Sequence, residues 1–252
     1  MQNLRRKSLA LGLLICCAGA YSAGYTPDTR EFPASAPLAF PEHPLLELRD
    51  GGAIEFWVAA DWRASLGYHP VILAYGPATA PQYSLAITAQ RDALLVQAGE
   101  QYGQFAFRFD DGRTHHVAVL DFDDEIMVLI DGQFVGGVSM SFAGGAPGPL
   151  VVGARADGSD AFVGALSALR LWDMPMAPET VPEFALRDPM AVDRPHPNIE
   201  HLVAYSDFRS GELVLAETLI LEEEMILSDA EILETLGAAE VRSIEQEFSD
   251  DE

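Results

Sequence analysis

Short runs of apolar residues separated by turn residues dominate the chain between Leu45 and Asp173. In several runs apolar and polar residues alternate with a period of two, which places successive side chains on opposite faces of a strand. In others, such as Met127–Ile130, both alternating sets are apolar, which is typical of central strands that are buried on both faces. The pattern therefore predicts a fold of many short β-strands, without long helices.

The turn signals between these runs give the predicted strand boundaries. Asp131-Gly132 is the strongest of them, because a two-residue hairpin turn needs positive φ angles that Asp-Gly supplies. Strands at a spacing of about 8–12 residues indicate a sandwich or a barrel. The predicted strands are Ala53–Ala60, Val71–Tyr75, Tyr83–Thr88, Ala93–Ala98, Gln104–Phe109, His115–Phe122, Glu125–Ile130, Gln133–Val138, Leu150–Ala154 and Phe162–Trp172.

After Trp172 the chain changes character. Repeated prolines between residues 174 and 198 predict an irregular crossover, and His201–Ser206 and Leu213–Leu215 are predicted to return as strands. From Glu217 onward acidic residues prevail, and Ser228 with Glu231 forms a capping-box pattern that favours a helix. Apolar residues follow that pattern at helical spacing, namely Ile232, Leu233, Leu236, Val241, Ile244 and Phe248.

The first residues have the three parts of a secretory signal peptide. The basic segment Arg5–Lys7 precedes the apolar run Ser8–Ala20, and small residues follow, so cleavage is expected after Ala20 or Ser22. A retained membrane anchor is the alternative, but the run is shorter than the roughly 20 apolar residues that span a bilayer. We therefore predict an exported protein, periplasmic or extracellular, without stable membrane insertion after removal of the signal.

The predicted organisation has four parts. They are a signal peptide over residues 1–23, an extended lead-in over 24–36, a β-sandwich over 37–216, and an acidic, partly helical tail over 217–252.

Charge and cysteine content narrow the class of partner. The net charge is −24, and removal of residues 1–23 leaves 12 basic against 39 acidic residues, or −27. Such a field repels nucleic acid, so no nucleic-acid partner is expected, and it attracts cations or basic proteins. Solubility alone also explains this composition. Because Cys16 and Cys17 both lie in the signal segment, the mature chain has no disulfide.

Three groups of strands, in the same order along the chain, carry a family resemblance. They are Ala53–Val58, then Thr114–Val119 with Val128–Val135, and finally Leu150–Gly153 with Phe162–Leu166 and Leu169–Trp172. Between about Leu38 and Val181 the chain thereby resembles the laminin-G-like or concanavalin A-like jelly-roll domains. The resemblance implies an all-β, two-sheet antiparallel sandwich. It also implies a domain that is usually exported and often binds glycans or proteins, sometimes through a calcium ion at the rim.

Catalytic chemistry finds little support in the sequence. Some enzymes of this fold hydrolyse polysaccharides with Glu-x-Asp-x-Glu or Glu-x-Asp-x-x-Glu on one strand, a spacing that sets alternate carboxylates on one face. No Glu-x-Asp occurs in this chain, and the acidic run Asp121–Glu125 falls on a predicted turn. His115 and His116 are neighbours on a strand and point to opposite faces, so they cannot share a metal ion. We expect one of them in the core and one near the surface, no catalytic residue and no enzyme activity.

Calcium is the one cofactor with a positive argument, because it takes several carboxylate and carbonyl oxygens from a flexible loop. Asp157 and Asp160 flank Gly158 in the loop before a closing strand, and we predict the metal site there. Asp110 with Asp111 is a second candidate. Ordinary tight turns use the same residues.

Aromatic residues near predicted strand ends are candidates for stacking on sugar rings, although a packing role fits each of them equally. They are Trp62, Tyr68, Tyr75 and Tyr102. The sequence thus favours an exported, non-enzymatic recognition module that binds a glycan or a protein surface. Two alternatives remain open: an assembly component whose acidic tail docks on a partner, and an enzyme acting on polysaccharides.

Overall fold

The structure is a computed structural model, and it describes residues 29–33, 36–63, 65–122, 124–185, 187, 196–208 and 210–216. The described residues form two antiparallel β-sheets packed face to face, with only short helical turns, which confirms the predicted all-β sandwich. None of the helices in these residues is long and apolar enough to cross a lipid bilayer. The predicted signal peptide and acidic tail lie outside the described residues.

The strands are β1 (Arg30–Phe32), β2 (Leu38–Phe40), β3 (Gly52–Ala60), β4 (Val71–Tyr75), β5 (Tyr83–Ile87), β6 (Ala93–Ala98), β7 (Gln101–Ala106), β8 (His115–Phe122), β9 (Glu125–Ile130), β10 (Gln133–Val138), β11 (Leu150–Val152), β12 (Gly164–Trp172), β13 (Leu202–Ser206) and β14 (Val214–Leu215). Three 3-10 turns, Pro44–Leu46, Phe142–Gly144 and Ile199–His201, and one short α-helix, α1 (Val181–Phe184), complete the elements. Strand β1 falls within the predicted extended lead-in.

The eight-stranded sheet has the order β10-β9-β8-β3-β12-β13-β14, with β1 also paired to β12. The six-stranded sheet has the order β2-β11-β4-β5-β6-β7. The main core lies between them. In β3, for example, the alternate residues Ile54, Phe56 and Val58 are buried in this core. Each such side chain contributes about 1.5–3 kcal/mol when it leaves water.

A second core covers the outer face of the eight-stranded sheet. Ala53, Leu120, Leu129 and Trp172 on the sheet pack with Met176, Val181 and Leu202 from the crossover and β13. The crossover after Trp172 thus buries the second face of the central strands. This arrangement explains why those strands are apolar on both faces in the sequence.

A buried charged group lies beneath this crossover. Glu55 accepts a hydrogen bond from Trp172 Nε1 at 3.0 Å, and His116 Nε2 lies 3.3 Å from its other carboxylate oxygen. Burial alone would raise the pKa of Glu55, but the His116 hydrogen bond and the Arg170 charge together hold it below its usual value. Arg170 in turn donates to the carbonyls of Phe184 and Arg187. The sheet is therefore tied to the crossover by polar contacts as well as by apolar packing.

One predicted strand is misplaced. The prediction of Gln104–Phe109 was wrong, because the strand is Gln101–Ala106. Gly99, with φ of 57°, and Glu100 form a two-residue turn, and Ala98 pairs directly with Gln101. That turn was not among the sequence signals. Beyond the strand, Phe107 still donates to the Asp92 carbonyl at 3.0 Å, so the ladder continues without regular strand geometry.

Candidate functional site

An exposed aromatic ring lies on the outer face of the six-stranded sheet, the face turned away from the eight-stranded sheet. The register pairs Tyr102 with Gln97 and Gln104 with Leu95, so these four side chains share that face. Phe105, in the alternate set, packs in the main core. Tyr102 is 64% exposed, although its neighbour Gln97 is buried. The face therefore presents the Tyr102 ring beside the exposed amide of Gln104, with the buried amide of Gln97 next to them.

Small, buried side chains continue this face from the amides towards the middle of the sheet. Ala74 pairs with Ser84 and Ser84 with Gln97, while Ala86 pairs with Leu95. Because opposite residues on neighbouring strands share a face, these small residues continue the same two rows. Ala74, Ser84 and Ala86 are all buried, so the accessible part of this face lies towards the edge that carries Tyr102.

Arg155 reaches this face from the loop between β11 and β12. Its Nη1 donates to the Ala78 carbonyl at 3.0 Å and to Gln97 Oε1 at 3.4 Å, and its Nε donates to Asp160 at 2.7 Å. The Gln97 amide nitrogen donates to the Gly99 carbonyl at 2.9 Å. Both ends of the Gln97 amide are thereby oriented.

Leu95, Gln97, Tyr102, Gln104 and Arg155 together are called the Tyr102 face below. An aromatic ring offers an apolar surface with a hydroxyl at its edge. Amide and guanidinium groups supply donors, and the amides also supply acceptors. This combination suits a ligand with alternating apolar faces and hydroxyl edges.

The structure gives the two predicted calcium ligands separate partners. Asp157 accepts hydrogen bonds from the backbone N–H and the hydroxyl of Ser159, at 2.9 and 2.6 Å. The hydroxyl bond is the main reason why the pKa of Asp157 is lowered. Asp160 is paired with Arg155. Among the described residues no group of three or more His, Cys, Asp or Glu side chains is placed to hold a metal ion. The calcium site stays a prediction.

The second loop candidate is also engaged in local contacts. Asp110 accepts two hydrogen bonds from Arg108, at 3.0 and 2.6 Å. Asp111 accepts from the backbone N–H of Arg113 at 2.9 Å and lies 3.0 Å from His115 Nε2. The contacts with Arg108 and Arg113 are those of ordinary turn residues, whereas the contact with His115 joins the loop to β8.

The histidine pair lies on opposite faces of β8, as its spacing predicts. His115 contacts Asp131, whereas His116 contacts Glu55 beneath the crossover. The expectation that one histidine lies near the surface was wrong, because both are buried. The reason is the second core, which covers the outer face at His116.

In the acidic run at the predicted turn, Asp121 is buried and accepts hydrogen bonds from Ser141 and Phe142.

Three of the four candidate aromatics are occupied by packing or hydrogen bonds. Trp62 is buried and donates to the Ala89 carbonyl at 2.9 Å. Tyr75 is buried and donates to His43, and the half-buried Tyr68 donates to Ala161. Tyr102 is the candidate that stays largely exposed.

Sequence reasoning missed Gln97, Gln104 and Arg155 as site residues. Alternation along Ala93–Ala98 assigns Leu95 and Gln97 to one face of the strand, but it does not indicate whether that face is turned to solvent or to the core. Arg155 comes from a distant loop, and no local pattern indicates that its side chain reaches Gln97.

Comparison with known families agrees with this architecture. A laminin G-type family model, described as the concanavalin A-like lectin/glucanases superfamily, matches residues 33–182. The chain belongs to this superfamily. No curated protein matches the chain significantly in sequence.

Several solved structures share the concanavalin A-like fold with this chain. The native heptameric SAP-like pentraxin from Limulus polyphemus is 15% identical with a TM-score of 0.52, covering 74% of this chain and 90% of its own. A putative carbohydrate-binding protein from Bacteroides ovatus is 17% identical with a TM-score of 0.55, covering 75% and 55%. Domain 4 of AbnA, an extracellular arabinanase from Geobacillus stearothermophilus in complex with arabinotriose, is 15% identical with a TM-score of 0.50, covering 63% and 79%. At these identities the likeness concerns the fold, which does not by itself define a ligand.

Proposed function

We propose that this concanavalin A-like protein is an exported, non-catalytic recognition module that binds a neutral glycan on the Tyr102 face. The observation that carries the proposal is the exposed ring of Tyr102, aligned with Gln97 and Gln104 on one sheet face. Full burial of a large apolar side chain contributes roughly 1.5–3 kcal/mol, and an exposed ring does not gain this free energy. A ligand that covers the ring recovers part of that energy.

The polar groups beside the ring support a sugar as the ligand. The buried Gln97 bonds to Arg155 and Gly99 and so helps to fix the partly exposed Arg155 side chain, while the exposed Gln104 amide lies next to it on the same face. A guanidinium held in this way loses little freedom when a hydroxyl binds it. Two of the similar structures are a putative carbohydrate-binding protein and an arabinanase domain in complex with arabinotriose, which supports the same ligand class.

The charge of the protein favours a neutral glycan over an acidic one. The chain carries a net charge of −24, and such a field repels anionic polysaccharides. The guanidinium of Arg155 at the site is paired with Asp160 at 2.7 Å. Neutral hydroxyls need no such charge partner.

The number of carboxylates near the face also favours a binding role over hydrolysis. Glycoside hydrolysis uses two carboxyl groups placed about 5–9.5 Å apart across the scissile bond. Among the described contacts of the Tyr102 face there is one carboxylate, Asp160, and Arg155 holds it. The protein is therefore proposed to recognise a glycan without cleaving it.

The test is a glycan array followed by calorimetry on the best neutral ligand. Tyr102→Ala should weaken binding about tenfold, the equivalent of about 1.4 kcal/mol, and Tyr102→Phe should retain most of the affinity. Phe134→Ala is the matched control, because Phe134 is 62% exposed but pairs with Leu129, a residue of the second core, on the other outer face. Unchanged affinity in Tyr102→Ala, or a preference for acidic glycans, would refute the proposal.

A further inference from the structure

Strand β7 forms one edge of the six-stranded sheet in the part of the chain that the structure describes. Hydrogen-bonded and non-bonded pairs alternate along an antiparallel ladder, and the pair that closes a two-residue turn is the bonded one. Ala98–Gln101 closes such a turn. Tyr102, Gln104 and Ala106 are therefore the residues whose N–H and C=O groups point away from β6. Phe107 belongs to the other alternate set, with Gln101, and its N–H donates to the Asp92 carbonyl just before β6, which supports this assignment.

In the described part of the chain, the sequence of β7 has none of the features that usually protect an edge strand from pairing with another chain. Natural edge strands are kept short, bulged, charged or interrupted by proline. Strand β7 is six residues long, pairs with β6 in an unbroken register, and contains no charged residue and no proline. Among the other edges described, β2 has three residues, β14 has two, and β10 carries a bulge between Phe134 and Gly136.

We propose that β7 is a docking edge for an extended, cationic peptide segment of a partner protein, which adds to the sheet as a further strand. Backbone pairing with Tyr102, Gln104 and Ala106 supplies the hydrogen bonds of such an addition, and alternate side chains supply specificity. The exposed side chains along the strand border the added segment on the outer face.

Charge and area favour a peptide over a second copy of this chain. Two copies of charge −24 repel each other, whereas lysine and arginine side chains are attracted to the same field. Glu100, which is exposed, directly precedes the strand and adds a local negative charge. A stable dimer also needs about 1,200–2,000 Å² of buried surface, which the pairing of two six-residue edges does not approach. A short segment has no such requirement.

The test compares Gln104→Pro with Gln104→Ala. Both variants lose the same side chain, but only proline removes the N–H that points away from β6, and it breaks no bond within the sheet. Ala106→Pro is a second variant of the same kind, outside the Tyr102 face. The probes are two blocked peptides, Lys-Val-Lys-Val-Lys-Val and Glu-Val-Glu-Val-Glu-Val, titrated against labelled protein by NMR at low salt.

We expect the basic peptide to shift the amide signals of Tyr102, Gln104 and Ala106 and to bind at least tenfold more tightly than the acidic one. Each proline variant should weaken binding at least tenfold relative to Gln104→Ala, with circular dichroism confirming that all variants fold. Absence of binding by the basic peptide, equal binding by Gln104→Pro and Gln104→Ala, or shifts confined to other strands would overturn the proposal. A concentration-dependent dimer that the proline variants abolish would assign the edge to a second copy and would also count against it.

Discussion

The Nδ1 atom of His115 lies 2.8 Å from a carboxylate oxygen of Asp131. The other oxygen of Asp131 accepts the backbone N–H of His116 at 3.0 Å, so the hairpin turn between β9 and β10 is fastened to β8. On the opposite side of the ring, Nε2 lies 3.0 Å from Asp111. Burial alone would lower the pKa of His115, but the hydrogen bonds to the two carboxylates raise it overall.

The contacts of His115 with Asp131 and Asp111, called the His115 clamp below, are predicted to contribute a free energy of unfolding that falls as pH rises. Because the folded-state pKa of His115 is raised, its contribution is fully present below the unfolded value of about 6.5 and is lost as pH rises through the folded value. Urea unfolding at about pH 6 and about pH 9 should show that His115→Gln costs more at the lower pH.

The control for this measurement is His201→Gln, which removes a half-exposed histidine near Asp173 on the surface. Such pairs contribute about 0–1 kcal/mol, so this variant should differ little from the wild type. A cost of His115→Gln that does not change with pH would contradict the clamp.

Removal of the Glu55 charge should destabilise the fold strongly. Glu55→Gln leaves the buried guanidinium of Arg170 without its carboxylate, and breaking a buried pair in this way costs about 3–5 kcal/mol. Glu47→Gln is the matched surface change, because the Glu47–Arg49 pair is partly exposed and is expected to contribute at most about 1 kcal/mol.

Chemical denaturation of both Glu variants gives the comparison. Adding Arg170→Met to Glu55→Gln should recover part of the loss, since the uncompensated charge is removed as well. If Glu55→Gln lowers the free energy of unfolding no more than Glu47→Gln does, the buried ion pair does not stabilise the fold as predicted.

Two adjacent glycines should respond in opposite directions to alanine. A Cβ at Gly145 would collide with the Pro81 carbonyl and the Gln82 backbone, so overpacking of about 1–3 kcal/mol is expected. A Cβ at Gly144 meets no atom within 4 Å, and that variant should be neutral or slightly more stable. Melting temperatures of the two proteins measure the difference, and equal values would rule out the close backbone approach.

Local patterns were sufficient wherever a strand is defined by its own sequence. The predicted bounds of β8, β9 and β10 agree with the structure, because alternating apolar residues and an Asp-Gly turn are local signals. Strand β1 was not predicted, because its three residues are a strand only through their pairing with β12.

The site depended on tertiary packing and was less accessible to prediction. The sequence makes Tyr102 a candidate together with three other aromatic residues, and only their burial and hydrogen bonds in the fold distinguish them from it. The contact between Arg155 and Gln97 joins residues far apart in the chain, and no periodicity encodes it.

The predicted calcium site at Asp157 and Asp160 is tested by thermal melting. An ion bound only by the native state adds about 2.7 kcal/mol at a hundred times its dissociation constant. Calcium should therefore raise the melting temperature more than sodium at matched ionic strength, which screens the diffuse field equally. Loss of the gain in the Asp157→Ala, Asp160→Ala double variant would locate the ion there, and a gain no larger than that of sodium would exclude the site.

Export with signal cleavage is tested by intact mass. Material recovered outside the cytoplasm should begin between residues 21 and 24, after cleavage at Ala20 or Ser22 or close to them. An exported protein that still contains Cys16 and Cys17 would contradict this prediction.

The position of β12 inside the eight-stranded sheet, between β3 and β13, has a kinetic consequence. Its partners are β1 and β3 from the early part of the described chain and β13 from its late part. Folds that depend on such distant pairings fold slowly, on the order of milliseconds to seconds. A nascent chain that ends before Gly164 has β8 on one side of β3 but lacks β12 on the other, so an apolar edge stays open during synthesis. Because β12 pairs with β13, this part of the sheet can form only after the chain has been synthesised through Ser206, so we expect the sandwich to fold late in synthesis rather than strand by strand.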